Sequence, residues 1–538
     1  MIHKGALSCK QTFRIPVPSH SRKRGHGKQP VDRFRWILSF GLGLLAWNWS
    51  GARALAADAP SPPLNIVLLV ADDLGWGEVG CYGQKKIPTP HIDQLAREGM
   101  RFTQFYSGAP VCAPSRCVLM TGKHLGHAEV RSNLPASKVF PEFDEGQYPL
   151  SAEAVTFAQI FQKGGYATGA FGKWGLGPVE STGDPNRKGF DLFYGYNSQS
   201  VAHSYYPEHL WRNREKVTIN SPGISGHQQK REGDIRAEDY QGQHYGPDLM
   251  VAEAEKFLAN EHDRPFFLFM PFIEPHVALH PPLERLNQFP REWDPDVYRG
   301  EGGYLPHPRP HAAYAALISE LDSYVGRIMD KLKEYNLADR TLVIFTSDNG
   351  TTHRSPKAAK FFVGGSDAEF FNSTAGLKGY KGSVYEGGIR IPFIARLPGR
   401  IAAGAVNDTP GYFADLFKTL CAAARLTPPS GLDGENLWPL LTGKEELNRE
   451  HPMVWVFPEY KGQVAVRFKE WKALRRDLKT RKPGDWEVYN IPKDPGEEQN
   501  LSREHPEIIA RAEAVLRQEM SPNSVFPLTI PGVNSAEK

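Results

Sequence analysis

The stretch Asn65-Ile66-Val67-Leu68-Leu69-Val70-Ala71-Asp72-Asp73-Leu74-Gly75 opens on an apolar, β-branched run and closes on two adjacent acids and a glycine. It reads as a strand over 65–70 that ends in a polar turn. The same order recurs along the chain. Apolar runs at 166–171, 265–272 and 341–346 each break into polar residues, and helical stretches fall at 90–99, 156–163, 248–260 and 312–335. Strands alternating with helices predict an α/β fold, a large and mostly parallel sheet sandwiched by helices. The segments 204–247 and 280–311 are rich in Gly, Pro, His, Tyr and charge, which marks them as long surface insertions that carry binding function. After Leu426 the pattern changes. Pro428-Pro429-Ser430-Gly431 marks a boundary, followed by short alternating runs at 453–457, 464–468 and 486–490 and a helical stretch at 506–520. These predict a smaller C-terminal antiparallel sheet plus a helix. The division is thus 64–426 for the main domain and 427–538 for the C-terminal subdomain.

In open α/β sheets, ligands bind beyond the carboxyl ends of the strands. Asp72 and Asp73 follow the first strand, and Asp348 and Asn349 follow the run at 341–346. Three carboxylates and an amide are hard oxygen donors, suited to calcium or magnesium rather than to a transition metal. The alternative is two unrelated strand-end turns, for which Asp-Asp-Leu-Gly and Ser-Asp-Asn-Gly are good sequences. Lys173 follows the run at 166–171, His276 follows that at 265–272, and Lys381 sits in Lys381-Gly382-Ser383-Val384-Tyr385-Glu386-Gly387-Gly388. Cations beside the same edge would spread negative charge developing on a bound anion.

A second stretch, Val111-Cys112-Ala113-Pro114-Ser115-Arg116-Cys117-Val118-Leu119-Met120-Thr121-Gly122, predicts a helix starting around 113–115, because Pro114 suits a first turn. The free N–H groups and dipole at that end favour an anion, and Arg116, one turn beyond Cys112, adds a guanidinium fork to it. Two other readings stand beside this one. Cys112, Cys117, His124 and His127 lie close enough in sequence to be zinc ligands, although the Cys-x4-Cys spacing is poor for a zinc knuckle. Cys112 and Cys117 could also pair as a disulfide or simply be buried.

Bulk composition narrows the class. The 538 residues are 40% hydrophobic, ordinary for a globular protein. The formal charge of +3 is uneven. Residues 1–56 hold ten Lys or Arg and one acid, a net of +9, which leaves 3 − 9 = −6 for the rest. That balance gives no support to a nucleic-acid partner. Residues 1–56 read as a signal peptide, with basic residues up to Arg35, an apolar stretch from Trp36, and Ala54-Leu55-Ala56 as the cleavage site; 57–63 read as a linker. Export to the periplasm or beyond follows, with no stable membrane partner. The alternative is a membrane anchor, but the apolar stretch is short for a spanning helix and is broken by Asn48. Of five cysteines, Cys9 lies in the signal, and Cys81, Cys112, Cys117 and Cys421 imply no disulfide framework.

The run C-x-P-S-R-x-x-L-x-T-G at Cys112–Gly122 resembles the signature of the formylglycine-dependent sulfatases, of the alkaline-phosphatase-like superfamily. Residues 65–75, Ser347-Asp348-Asn349-Gly350, and Lys381–Gly388 with Arg390-Ile391-Pro392 resemble the family's metal motifs and basic loop. Val466-Arg467, Trp471-Lys472, Glu487–Asn490 and Asp494-Pro495 resemble its C-terminal subdomain. The resemblance, which covers 64 to about 505, implies that a formylglycine-generating enzyme oxidises Cys112 to an aldehyde (3-oxoalanine), whose hydrate is the nucleophile. It implies that Asp72, Asp73, Asp348 and Asn349 bind Ca2+ together with the modified Cys112. It assigns catalytic roles to Arg116, Lys123, Lys173, His276 and Lys381, with Arg116 or Lys123 activating the hydrate, and His276 and Lys381 holding the sulfate. One position departs. The family's G-K-W-H-L-G is Gly172-Lys173-Trp174-Gly175-Leu176-Gly177 here, so either the second half-reaction, sulfate release, is impaired or another group has taken over. His127, His124 and His203 are the candidates, with His127 and His203 also read as substrate-binding.

The aromatic and histidine-rich segment Ser198–Asn213 suits a sugar ring, since aromatic faces stack on sugars. The expected activity is therefore a secreted sulfatase acting on a sulfated saccharide. Its rivals are a phosphodiesterase or phosphonate monoester hydrolase of the same superfamily, and a catalytically silent glycan-binding protein.

Overall fold

A computed structural model describes residues 62–228, 231–354 and 360–535. The signal peptide read at 1–56, and residues 57–61 of the linker, lie outside the described residues. The compact unit that begins at Pro62 is built on two sheets.

The large sheet contains β1 (Asn65–Ala71), β2 (Met100–Tyr106), β3 (Ala167–Lys173), β4 (Leu192–Tyr196), β5 (His209–Arg212), β6 (Glu215–Thr218), β7 (Phe266–Pro271), β8 (Thr341–Ser347), β9 (Arg390–Arg396), β10 (Ala405–Asn407) and β11 (Gly411–Tyr412). Its order is β10-β2-β9-β8-β1-β7-β3-β4-β5-β6, with β11 also on β2. The centre, β8-β1-β7-β3-β4, is parallel, while β9 and the β5–β6 pair run antiparallel at either side. The helices are α1 (Pro90–Glu98), α2 (Cys112–Thr121), α3 (Phe157–Lys163), α4 (Gly246–Glu261), α5 (Leu283–Leu286), α6 (Pro310–Glu334), α7 (Glu386–Ile389), α8 (Asp415–Ala424), α9 (Trp438–Leu441) and α10 (Pro506–Glu519).

Every residue of β1 is buried, and alternate side chains serve different cores. Ile66, Leu68 and Val70 pack with α2, α3 and α8, whereas Val67 and Leu69 pack with α4 and α6. A strand covered on both faces has no solvent side, so its sequence need not alternate. The small sheet, β12 (Met453–Phe457), β13 (Gln463–Phe468), β14 (Trp471–Arg475) and β15 (Glu487–Asn490), is antiparallel in sequential order. There the period of two decides the packing. Trp455, Phe457 and Ala465 join the main core, while Val454, Val456, Val464 and Val466 form a separate core with Ile508, Ala512 and Leu516 of α10.

The insertion read at 204–247 is not wholly irregular. It holds β5 and β6, which extend the large sheet. Strands β2 and β9 carry the other wing of the sheet. Neither was expected as a strand, because each alternates with polar or Pro residues and its partner is distant in sequence.

Candidate active site

The register aligns Ala71 with Ser347 and Val70 with Pro271, so β1, β7 and β8 end together. Asp72-Asp73, Glu274-Pro275-His276 and Asp348-Asn349 therefore emerge on one edge, with Lys173 as the last residue of β3. Helix α2 starts at this edge. Val111 is its extended N-cap, Cys112 its first residue, and Pro114 falls within the first turn as expected. Ser115 Oγ donates to the Asp348 carbonyl at 2.5 Å, and Asn133 Oδ1 accepts from the Ala113 N–H at 2.9 Å. The first bond holds the helix start against the end of β8, and the second ties it to the loop that follows α2.

Cys112 Sγ lies 3.2 Å from Asp72 Oδ1, 3.9 Å from Asp73 Oδ1 and 3.6 Å from Lys381 Nζ. Lys173 Nζ reaches Asp72 Oδ2 at 2.5 Å, and Lys381 Nζ reaches Asp73 Oδ2 at 2.7 Å. Arg116 bonds Asp348 Oδ2 through Nε at 3.0 Å and Nη2 at 2.9 Å, donates to the Lys173 carbonyl, and lies 3.7 Å from Asp72. His276 Nε2 is 3.5 Å from Asp73 Oδ2. All of these residues are buried. Three buried carboxylates thus face three buried cations. Asp73 adopts a left-handed backbone (φ 64), uncommon for a residue with a side chain, and its N–H donates to Asp348 Oδ1 at 3.2 Å.

The shifts follow from this geometry. Burial pushes Asp72 up, but Lys173, His276, Arg116 and Lys381 outweigh it and hold its carboxyl well below the usual carboxylate range. Burial and the Asp72 charge raise Asp348 to about 6. Burial, with Asp72 next, raises the Cys112 thiol far above its ordinary value. Burial and the cations Lys381 and Lys173 hold His276 well below the ordinary imidazole value. An unmodified Cys112 here is a neutral thiol and a weak nucleophile.

Asp72, Asp73, Cys112, Lys173, His276, Asp348, Asn349, Arg116 and Lys381 are therefore brought together. His203 joins them at the rim. Its ring stacks on His276, with centroids 4.6 Å apart and planes 5° from parallel, and its Nδ1 lies 2.7 Å from His227 Nε2. Lys123, His124 and His127 are not at this site. They follow α2 at its far end, and ten residues at about 1.5 Å each place that end about 15 Å from Cys112. Lys123 bonds the Gly431 carbonyl and pairs with Asp433 at 3.7 Å. His127 bonds Asp433. Gly122, left-handed at φ 65, ends the helix, and Lys123, His124 and His127 just beyond it bond Gly431, Asp433 and Glu519 instead of the groups around the nucleophile. The disulfide reading of Cys112 fails because Cys112 and Cys117 are both free, and the zinc reading fails because Cys112 gathers with Asp72, Asp73 and His276 while His124 and His127 gather with Glu519, leaving Cys117 in the main core.

Several neighbours were not foreseen. Thr352 Oγ1 lies 3.4 Å from Asp73 Oδ2, and Tyr304 tilts against His203 at 5.3 Å. His353, edge-on to Tyr460, is pulled down to about 4 by burial and by Lys381. Beside Gly175 (φ 76) lies Gln199. A Cβ at residue 175 would meet Gln199 Nε2 at 2.4 Å, and that buried nitrogen has no hydrogen-bond partner. The His/Tyr richness of 204–247 and 280–311 was a usable signal for Tyr304 and His227; Gln199 lies in the segment Ser198–Asn213 read as suited to a sugar, but nothing in the sequence paired it with residue 175.

With this arrangement in view, the relatives are informative. The family model described as Sulfatase matches residues 64–426, and that described as N-sulphoglucosamine sulphohydrolase, C-terminal, matches 379–522. N-acetylgalactosamine-6-sulfatase of Rattus norvegicus is 30% identical over 86% of this chain and 86% of its own. Arylsulfatase A of Homo sapiens is 32% identical over 83% and 85%. The crystal structure of Ps i-CgsB in complex with k-i-k-neocarrahexaose superposes with a TM-score of 0.68 at 26% identity, covering 86% of this chain and 94% of that one. The chain belongs to the sulfatase family and is a hydrolase of sulfuric esters. The fold is likewise that of the sulfatases, a helix-covered, mostly parallel sheet with a smaller antiparallel sheet.

Proposed function

We propose that this protein is an exported sulfatase that removes sulfate from a sulfated glycan, using an oxidised Cys112 and a calcium ion. The observation that carries the reading is the placement of Cys112 at the first turn of α2, within 4 Å of two carboxylates and a lysine. The donor set fits calcium. Asp72, Asp73 and Asp348 offer hard oxygens, and Asn349 Oδ1 is buried with no hydrogen-bond partner, while its Nδ2 is engaged by Asp73 Oδ1 at 2.7 Å. These four residues would hold the ion, which supplies Lewis acidity toward a sulfate oxygen. Oxidation of Cys112 to the aldehyde supplies, through its hydrate, the oxygen nucleophile.

The remaining chemistry belongs to the chain. Lys173 and Lys381 place positive charge on either side of Cys112, where negative charge builds in the transition state. Arg116 fixes Asp348 and the end of β3. His276 is neutral at ordinary pH, and its Nδ1 is turned to the Val277 carbonyl, which leaves Nε2 facing the site. With the ring proton on Nδ1, that nitrogen carries a lone pair and is placed to take up a proton in the site, while the proton for the departing alcohol comes from a charged donor such as Lys381. The glycan reading rests on the rim. His203 stacks on His276 and contacts His227, and from His227 a cleft of about 360 Å³ runs past Ser200, Ser204, Glu208 and His209. A cleft beside His227 that mixes hydroxyl, carboxylate and imidazole groups with apolar ones suits a hydroxylated ring. Ps i-CgsB, named with its neocarrahexaose, gives the same lead.

Sulfate release is tested by ion chromatography on a panel of defined sulfated saccharides, with protein made alongside a formylglycine-generating enzyme and Cys112→Ala as control. Release from one saccharide, absent in the control, is expected. Release only from an aryl phosphate or phosphonate ester, or none from any substrate with the aldehyde verified by mass, would overturn the reading. Among the described residues no helix is long and apolar enough to cross a membrane; secretion is tested by N-terminal sequencing of the protein from the culture medium and periplasm.

A further inference from the structure

The histidines that lie away from the nucleophile are themselves organised. His124 is almost fully buried, and its ring stacks on that of His127 with centroids 4.4 Å apart and planes 20° from parallel. One carboxylate stands on the Nδ1 side of both rings. Asp433 Oδ2 is 3.0 Å from His127 Nδ1 and 3.7 Å from His124 Nδ1. Another stands on the Nε2 side of both. Glu519 Oε2, at the last residue of α10, is 3.3 Å from His124 Nε2 and 3.8 Å from His127 Nε2.

We propose that His124, His127 and Glu519 form a second metal site, for zinc or a similar divalent transition-metal ion, with Asp433 orienting both imidazoles from behind. It is separate from the oxygen-rich cluster around Asp72. Two imidazole nitrogens and one carboxylate favour a transition metal over calcium. The spacing agrees. A tetrahedral zinc with N and O donors at about 2.0–2.1 Å sets neighbouring ligand atoms about 3.3 Å apart. The three ligand atoms already lie within 4.8 Å of one another, so closing the shell needs shifts of about an ångström together with a turn of one ring, because two nearly parallel imidazoles do not aim their lone pairs at one point. Metal-bound histidines characteristically donate their other ring N–H to a carboxylate, which is where Asp433 stands. The side chains of His127 and Glu519 are 25% and 20% exposed, which leaves an entry path and room for water as the fourth ligand.

The competing arrangement is a metal-free clamp. His124 Nδ1 accepts from the Gly126 N–H at 3.2 Å, which puts the His124 proton on Nε2, toward Glu519. Metal binding requires that proton to move to Nδ1, on the side of Asp433, at the cost of the Gly126 bond; the ion then takes the Nε2 lone pair. A bound ion would tie the C-terminal end of the nucleophile's helix to α10, segments 395 residues apart. Its role there is structural, because it touches none of the reacting groups.

Zinc and cobalt binding are measured on the full chain in a Cys112→Ala background with excess calcium, so that the Asp72 cluster offers no thiol, and sulfate release on the chain with Cys112 intact. Zinc binding is read by equilibrium dialysis and elemental analysis, and cobalt by its visible absorption, in this parent, His127→Ala and Glu519→Gln, each with circular dichroism as the fold check. One equivalent of zinc in the parent, a tetrahedral cobalt spectrum, and a loss of affinity of about tenfold or more in the variants are expected. Sulfate release with calcium present should change little in Glu519→Gln. A parent that binds no saturable zinc, or variants that bind it as tightly as the parent, would overturn the proposal. Should His127→Ala fail to fold, Glu519→Gln and the parent's cobalt spectrum still decide it.

Discussion

Gly175→His restores the residue that the sulfatase pattern places after Lys173, and the geometry predicts that it harms this protein. Gly175 has φ 76, in the left-handed region, where a side chain costs about 1–2 kcal/mol. The new Cβ would also sit 2.4 Å from Gln199 Nε2. That atom ends a flexible side chain, so the overlap is relieved by turning the amide off its rotamer, at about 0.5–1.5 kcal/mol. The sum is about 1.5–3.5 kcal/mol, centred near 2.5. At about 2.1 cal/mol/K per residue, a unit of this size has an unfolding entropy near 1 kcal/mol/K, so the melting temperature should fall by about 2–3 °C. Calorimetry resolves this, and Gly175→Ala isolates the part due to the backbone and Cβ. Placing Gly175→His in a Gln199→Ala background should recover about 1 kcal/mol, the rotamer part alone. Turnover of an aryl sulfate should fall as well, because relaxation at residue 175 moves Lys173, whose Nζ holds Asp72 and whose carbonyl holds Arg116. A Gly175→His protein as stable as wild type, with equal or higher kcat, would refute the argument and return the role to a histidine at 175.

Other expectations follow from single contacts. Lys173→Met leaves Asp72 as a buried carboxylate with only Arg116, at 3.7 Å, as a close cation; about 3–5 kcal/mol of stability should be lost without calcium and partly regained with it, and a thermal shift unchanged by calcium would remove the case for a cation at Asp72. Lys472 Nζ lies 2.9 Å from both Glu386 and Glu497, all three buried, so Lys472→Met should cost about 3–5 kcal/mol and detach the small sheet from the basic loop, read as loss of a single cooperative transition in urea. Burial pulls His311 down, but its hydrogen bonds to Asp294 and Asp367 outweigh that and hold it up to about 9. A raised histidine stabilises fully below its unfolded value near 6.5, and the contribution, about 3 kcal/mol at most, is lost as pH rises to about 9; His311→Gln should flatten stability over that window, and an unchanged slope would remove His311 from the account. Cys112→Ala should abolish turnover while preserving the melting temperature to within about 2 °C, and activity above trace levels in that variant would sink the nucleophile assignment.

Much of the fold was legible because it is written locally. A run such as Asn65–Ala71 cannot be solvated on either face, and the polar residues that end it mark the edge where ligands bind, whatever the rest of the chain does. The same locality made Asp72, Asp73, Asp348 and Asn349 readable as a set, and made Cys112 readable at the start of a helix. Strands β2 and β9 were missed because pairing between residues such as Arg101 and Ile394 is a tertiary event with no local signature.

The ambiguous cations and histidines divide the same way. Lys123 and Lys173 are both lysines just past an apolar run, yet one closes on Asp72 and the other on Asp433, because the left-handed Gly122 turns the chain after α2. Sequence alone determined which residue types stand at the strand ends and at the head of α2, since periodicity and turn chemistry act over a few residues. Only the tertiary structure decided that Gln199 fills the space beside Gly175, and that His124 and His127 meet Glu519 rather than the cysteines beside them. Contacts across tens or hundreds of residues are selected by packing of the whole core, which no local pattern records.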